Sequence, residues 1–381
     1  MPNKSFSVKI KHKIKPFSKT IKVDSDKSLS IRSFLLGSIC QNISTVNNVL
    51  ESGDVKSAIK TCQKLGVVIK KIRHKSYKIY GKGLGSLFIK KNAELNFGNS
   101  GTLARLLLGI LSTTPNINIK IKGDHSLNKR SMEKLINLLS KFGATFLPKN
   151  KYTFPLKMIS SEMPVGIKYK AGVSAQLKSA VLLAGLNSYG NTIIEEQIIS
   201  RDHTENLLMK NIQSIKITKN KKKIIKVKGK SYLNPLNLNI GGDPSSAAFF
   251  AALTLLNKNS TLKIKNVGLN PTRTGFYDIL KKQKVKINFK NIIKDNNEIR
   301  GDILIKSSKL KPMNVPASLY PRTTDEYLIL FVLASLTNGV STFRGISELK
   351  GKESSRAHEM KKILNQIGVK CKLSQNEMKI Y

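Results

Sequence analysis

Five stretches decide the fold: DKSLSIRSFLLGSI (26–39), GNSGTLARLLLGIL (98–111), SAQLKSAVLLAGL (174–186), GDPSSAAFFAALTLL (242–256) and TDEYLILFVLASL (324–336). Each opens on a short polar stretch rich in Ser, Gly, Asn or Asp and then runs apolar for about ten residues. The runs are apolar nearly all round, which predicts buried helices. The openers are good N-cap types, because their side-chain oxygens accept from free N–H groups of the first turn. Taken singly, each start reads as ordinary capping. Five in register point further: helix N-termini carry partial positive charge, so several converging on one cleft would make an anion site.

A second helix follows each of these in step: SGDVKSAIKTCQKLG (52–66), NKRSMEKLINLLSKFG (128–143), SRDHTENLLMKNI (200–212), NPTRTGFYDILKKQ (270–283) and GKESSRAHEMKKILNQIG (351–368). Short β-branched runs such as NINIKIKG (116–123) and STLKIKNV (260–267) lie between. One pattern thus recurs about every seventy to eighty residues, and alternating strands and helices indicate an α/β protein. At 381 residues the chain is too long for one ordinary core, so two domains are expected.

Composition narrows the function classes. Hydrophobic residues make up 40%, enough for buried cores. No apolar run approaches the roughly twenty residues of a membrane span. The basic start, 1–15, has no apolar segment of the secretory kind. Cys40, Cys62 and Cys371 are scattered, which argues against a disulfide framework or zinc site and fits a reducing cytoplasm. Five unclustered histidines argue against a metal site as well. GKGLG (81–85) lacks the acidic residue and βα turn of a dinucleotide loop, and no glycine precedes Lys27-Ser28 as an NTP loop requires.

The formal charge is +44. Dense lysine can mean nucleic-acid binding. Here the charge is spread over the chain, and its densest run, 219–230, alternates with Ile224, Ile225 and Val227 and reads as an exposed strand without stacking aromatics. A compositional bias towards Lys, Asn and Ile explains it better. Only ten of the 67 cations are arginine. A chain so biased keeps arginine where a planar fork is needed. Arg32, Arg105, Arg130, Arg201, Arg273, Arg322 and Arg356 all fall within the polar motifs, as a site for phosphates and carboxylates would require.

The ordered set DKSLSIR, LNFGNSGTLARLL, GDHSLNKRSM, SAQLKSAVLLAGL, SRDHTENLL, GDPSSAAFF, NPTRTG and TDE with ELKGKESSR closely resembles the enolpyruvyl transferase family, in its EPSP synthase branch, from about Lys22 to Gly368. The resemblance implies a two-domain inverse α/β barrel of repeated ββαβαβ-type units, with substrates in the cleft between the domains. The first domain would span 25–237, and the second 1–24 with 238–381. It implies transfer of the enolpyruvyl group of phosphoenolpyruvate to shikimate-3-phosphate by addition and elimination, with no cofactor or metal, in a cytoplasmic monomer that needs neither membrane nor nucleic acid.

By the same resemblance, Lys27, Ser28, Arg32, Ser174, Ala175, Gln176, Asp325 and Lys352 bind shikimate-3-phosphate. Lys27, Gly101, Arg130 and Arg356 face phosphoenolpyruvate. Asp325 is the general base, Glu353 exchanges protons with the methylene carbon, and Lys27 reaches both substrates. A glycine at 101 allows close backbone approach. Lys27 and Ser28 sit at a helix start, with Arg32 one turn on. Arg105 reads equally as structural or supporting, and Arg201 as an ion pair with Asp202 or Glu205 or as a ligand contact.

The chain departs from the family pattern in places. Asp24 and Ser25 stand where Pro-Gly is usual, and Ser131 where Pro follows the arginine. Five units are visible where the family has six; the sixth normally carries a His-Arg helix start and a late Lys. If Tyr381 is the natural end, poor stability and little activity are expected; a truncated gene model or clone is the preferred explanation. The competing readings are UDP-N-acetylglucosamine enolpyruvyl transfer, which lacks SAQLKSA and SRDHTE, and a non-catalytic relative that binds anions or nucleic acid.

Overall fold

The computed structural model describes residues 7, 9, 11–220, 222–351 and 355–381. Among them are twelve α-helices: α1 (Lys27–Ile39), α2 (Gly53–Lys64), α3 (Gly101–Leu111), α4 (His125–Asn128), α5 (Glu133–Ser140), α6 (Ala175–Leu186), α7 (His203–Leu208), α8 (Pro244–Leu256), α9 (Gly275–Lys282), α10 (Tyr320–Thr323), α11 (Tyr327–Ala334) and α12 (Arg356–Gln366). The five apolar stretches are α1, α3, α6, α8 and α11. None of the helices is long and apolar enough to cross a membrane.

The strands form five four-stranded sheets of one topology, with one parallel pair at an edge and two antiparallel pairs after it. In one sheet Glu94–Asn96 runs parallel to Asn118–Lys122, which pairs antiparallel with Leu156–Ile159, then Thr145–Leu147. Two sheets take their parallel strand from a distance. Asn237–Asn239 joins Ile43–Asn47, and Ser18–Lys22 joins Thr261–Gly268. The chain therefore passes twice between two bodies, and each body has its own hydrophobic core, from residues within 29–240 and within 247–380.

Helices lie inside and sheets outside for a simple reason. A helix satisfies its own backbone and can be buried on all sides, whereas a half-polar strand needs one wet face. In the first body α1, α3 and α6 are buried nearly throughout. Gly109 lets α3 and α6 meet: a Cβ there would lie 2.5 Å from the Ala180 carbonyl oxygen. In the second body burial is less complete than the sequence pattern predicts. Phe249, Phe250, Leu253 and Leu256 expose one face of α8, because no third inner helix packs on it among the described residues.

The lysine-rich run is likewise not a simple exposed strand. Lys223–Lys228 is an inner strand, between Ile215–Lys219 and Asn191–Glu196. Ile225 and Val227 enter the core. Lys223 is buried too, in a four-membered charge cluster. Lys178 Nζ lies 2.7 Å from Glu196 and 2.6 Å from Glu205; Lys223 Nζ lies 3.0 Å and 3.3 Å from the same carboxylates. Two charges of each sign leave the cluster neutral. Burial alone would raise the Glu196 carboxyl, but Lys178 and Lys223 outweigh it and hold it below its ordinary value. The cluster binds α6 to α7 and to two strands at the floor of the first body.

A Lys178→Met variant leaves two buried carboxylates facing one cation, and urea denaturation should show a loss of about 3–5 kcal/mol. A depressed carboxyl stabilises the fold above its unfolded value and loses that contribution as pH falls through the folded one. Wild-type stability should therefore drop below about pH 4.5, the ordinary glutamate value, more steeply than in the variant.

Candidate active site

Four inner helices begin with the expected caps. Asp26 accepts from Leu29 N at 2.8 Å, Ser100 from Leu103 N at 3.3 Å, Ser174 from Leu177 N at 3.4 Å and Asp243 from Ser245 N at 2.8 Å. The fifth differs. Helix α11 starts after Glu326, which makes no side-chain cap bond; the polar residues Thr324 and Asp325 lie ahead of the helix.

These N-terminal turns are joined side by side. Gln176 Nε2 of α6 donates to Thr102 of α3 at 3.0 Å. Arg32 of α1 donates from Nη2 to Ser179 of α6 at 3.5 Å. Arg273 spans the two passages of the chain between the bodies: its Nη1 meets Asp26 at 2.9 Å, and its Nη2 meets Asp243 at 3.3 Å and Ser245 at 2.9 Å. The Ser245 hydroxyl then donates to Glu326 beside α11. Backbone bonds flank the arginine, Asp26 N to Gly241 O at 2.9 Å and Asp243 N to Asp24 O at 2.8 Å. Burial pushes the Asp26 carboxyl up, but Arg273 overcomes this and holds it low; Asp243 is raised by burial and by Asp26.

Arg32 is buried and held as a fork. Its Nε donates to Thr204 Oγ1 at 2.9 Å and its Nη1 to the Ser28 carbonyl at 3.2 Å. Burial lowers its pKa to about 10, so it stays cationic at neutral pH. Thr204 and Ser179 hydroxyls lie 2.8 Å apart, each one residue from the Lys178–Glu205 pair. Lys27 is half exposed and pairs with Asp54 at 3.1 Å. Ser174 uses its oxygen as a cap acceptor, which leaves its O–H to donate, and Ala175 opens the helix beside it.

A second group surrounds Gly101. Arg105 Nη1 donates to the Gly101 carbonyl at 3.2 Å and to Gln176 Oε1 at 3.0 Å, so Arg105 braces the site. Arg130 donates to Asn99 and, at 3.3 Å, to Ser126. A Cβ on Gly101 would sit 2.7 Å from Arg105 Nη1 and 3.1 Å from Arg130 Nη1, so a side chain there would displace the two guanidiniums.

The third group joins the two bodies. Asp325 lies 2.7 Å from Arg201 of the first body and 3.3 Å from Arg356 of the second. This corrects the pairing expected for Arg201. Asp202 instead accepts from Asn270 and Thr272, and Glu205 belongs to the buried charge cluster. Lys352 and Glu353 lie outside the described residues. Sequence reasoning gave no role to Thr204, Ser179 or Ser245, although each sits inside a quoted motif, and it marked Arg273 only as one of the seven motif arginines, where the structure sets it between two aspartates. Arginines, helix N-termini and one central carboxylate can bind polyanions and accept a proton.

The model of the EPSP synthase (3-phosphoshikimate 1-carboxyvinyltransferase) family matches residues 11–381. The 3-phosphoshikimate 1-carboxyvinyltransferase of Zymomonas mobilis is 38% identical over 362 residues, 94% of this chain and 80% of that protein. That of Bacillus cytotoxicus is 38% identical over 365 residues, 95% of this chain and 84% of that protein. The solved EPSP synthase of Acinetobacter baumannii superposes with a TM-score of 0.83 at 34% identity, covering 96% of this chain and 82% of that one. The enolpyruvyl transferase NikO of Streptomyces tendae, at 13% identity and a TM-score of 0.70, shares the fold. An inverse α/β architecture, the ordered motifs and these likenesses agree: the chain belongs to the EPSP synthase family.

Proposed function

We propose that the chain transfers the enolpyruvyl group of phosphoenolpyruvate to the 5-hydroxyl of shikimate-3-phosphate and releases phosphate, in the shikimate pathway. One observation carries the reading: the Asp325 carboxylate is held between Arg201 and Arg356, one arginine from each body. Lys27, Ser28, Arg32, Ser174, Ala175 and Gln176 take shikimate-3-phosphate on the first body, with Asp325 and Lys352 at its hydroxyls. Lys27, Gly101, Arg130 and Arg356 take phosphoenolpyruvate. The anionic substrates draw Arg201 and Arg356 off Asp325 and so free it to act as a base.

The 5-hydroxyl oxygen then bonds to the central carbon of phosphoenolpyruvate and gives its proton to Asp325. Glu353 protonates the methylene carbon. In the tetrahedral intermediate the carbon–oxygen bond to phosphate breaks, Glu353 takes a proton back from the methyl group, and phosphate leaves with the proton that Asp325 had taken from the hydroxyl, which restores the base. Lys27 and the arginines offset the negative charge that builds up in between. The chemistry uses no cofactor. The protein acts as a cytoplasmic monomer without nucleic acid, with domains at 25–237 and at 1–24 with 238–381, as the two passages between the bodies suggest.

Purified protein given both substrates should release inorganic phosphate, with neither substrate sufficient alone. Asp325→Ala should cut the rate at least about a hundredfold. Absence of release from the wild type would refute the reading. Thr204→Val keeps the shape of the side chain but strands Arg32 Nε. Its KM for shikimate-3-phosphate should rise about tenfold, the equivalent of one lost hydrogen bond, while Thr204→Ser stays near wild type.

A further inference from the structure

The link between α1 and α11 has a direction. Arginine only donates, so Ser245 Oγ accepts from Arg273 Nη2, at 2.9 Å, and its one hydrogen goes to Glu326 Oε1. At the other end Arg273 Nη1 grips Asp26 at 2.9 Å, the cap that immediately precedes Lys27 and Ser28. Glu326 immediately follows Asp325. Asp26, Arg273 and Glu326 are each at most 2% exposed. A buried polar chain of this kind is weak support for stability, since an apolar packing of the same volume commonly does as well. What it supplies is a fixed geometry.

We propose that Arg273, Ser245 and Glu326 are positioning residues that set the Asp325 carboxylate at a fixed distance from the Lys27–Ser28 turn, across the passage between the two bodies. The proposal rests on the base role of Asp325 given above. The chain reaches Asp325 from behind: the side chain of Glu326 ties the start of α11 to the first turn of α8, so the preceding residue must face the cleft, where Arg201 meets it. Burial raises the Glu326 pKa, with Arg273 and Arg201 pulling the other way, and its second oxygen, Oε2, is buried with no hydrogen-bond partner among the described residues. What the chain needs from Glu326 is the Oε1 acceptor for the Ser245 hydroxyl. Glutamine keeps that acceptor and can replace it; alanine cannot. Cutting the chain at Ser245 leaves Arg273 on Asp26, so the turn that holds shikimate-3-phosphate stays in place while Asp325 loses its support.

The test uses Ser245→Ala, Glu326→Ala and Glu326→Gln in the whole chain, with thermal melting to confirm folding. Steady-state phosphate release and crystal structures are the readouts. A misplacement of about 1 Å costs up to about a hundredfold in rate. Ser245→Ala and Glu326→Ala should lower kcat by about ten- to a hundredfold, with KM for shikimate-3-phosphate within about threefold. Glu326→Gln should keep kcat within about threefold. In the Ser245→Ala crystal the Asp325–Arg201 contact of 2.7 Å should be lost. Wild-type kcat in Ser245→Ala, an unmoved Asp325, or a Glu326→Gln variant as slow as Glu326→Ala would each overturn the proposal. If the wild type releases no phosphate, the function fails separately, and the crystal comparison still decides whether the chain sets the place of Asp325.

Discussion

A guanidinium placed where the polypeptide passes twice between two bodies is the constraint that the rest of the structure depends on. Arg273 grips one aspartate from each passage, and the two passages bond to each other through their backbones. Burying three charges together is costly unless each is paired and hydrogen-bonded. Here the cost is met by geometry: both aspartates also cap helices, so their free lone pairs receive backbone N–H groups. Each carboxylate thereby fixes a helix start, and the arginine fixes the two starts to one another. The cleft inherits its shape from that joint, because the anion-binding turns of the two bodies begin within a few residues of it.

The same logic recurs deeper in the first body. Lysine is the abundant cation of this chain, and most of it lies on wet surface. Lys178 and Lys223 are exceptions, drawn inside by Glu196 and Glu205. Their cluster holds α6 and α7 in register, and that register puts the Ser179 and Thr204 hydroxyls where Arg32 needs acceptors. A neutral buried cluster thus acts at one remove on the Arg32 fork, through rigid helices rather than through the field of its charges.

Much of this was legible in the residues. Periodic apolar runs with polar openings gave the inner helices. Of the seven motif arginines, Arg32, Arg105, Arg130, Arg201 and Arg356 gather at the candidate site, whereas Arg273 joins the two passages and Arg322 pairs with Asp278. What escaped was set by tertiary partners. Alternation of Lys with Ile in 219–230 cannot say whether a buried lysine waits for two glutamates from other elements. Arg201 had acidic neighbours close in sequence, yet Asp325, far along the chain, is its partner. Helix α11 starts without a cap of the usual type because Glu326 is spent on Ser245 instead of on its own backbone. Lys352 and Glu353 were named from their motif alone.

The open face of α8 gives the protein a second character, that of a charged particle with an adhesive face. Phe249, Phe250, Leu253 and Leu256 form an apolar stripe on a molecule of net charge +44. Like-charged molecules repel before their stripes can meet, but that repulsion reaches only about 8 Å at physiological ionic strength and shortens as salt rises. Dilute buffers keep such particles apart, and concentrated salt lets their adhesive spots find each other. The lysine excess, which does little for the cleft, in this way sets how crowded a solution the folded chain can share with its own copies.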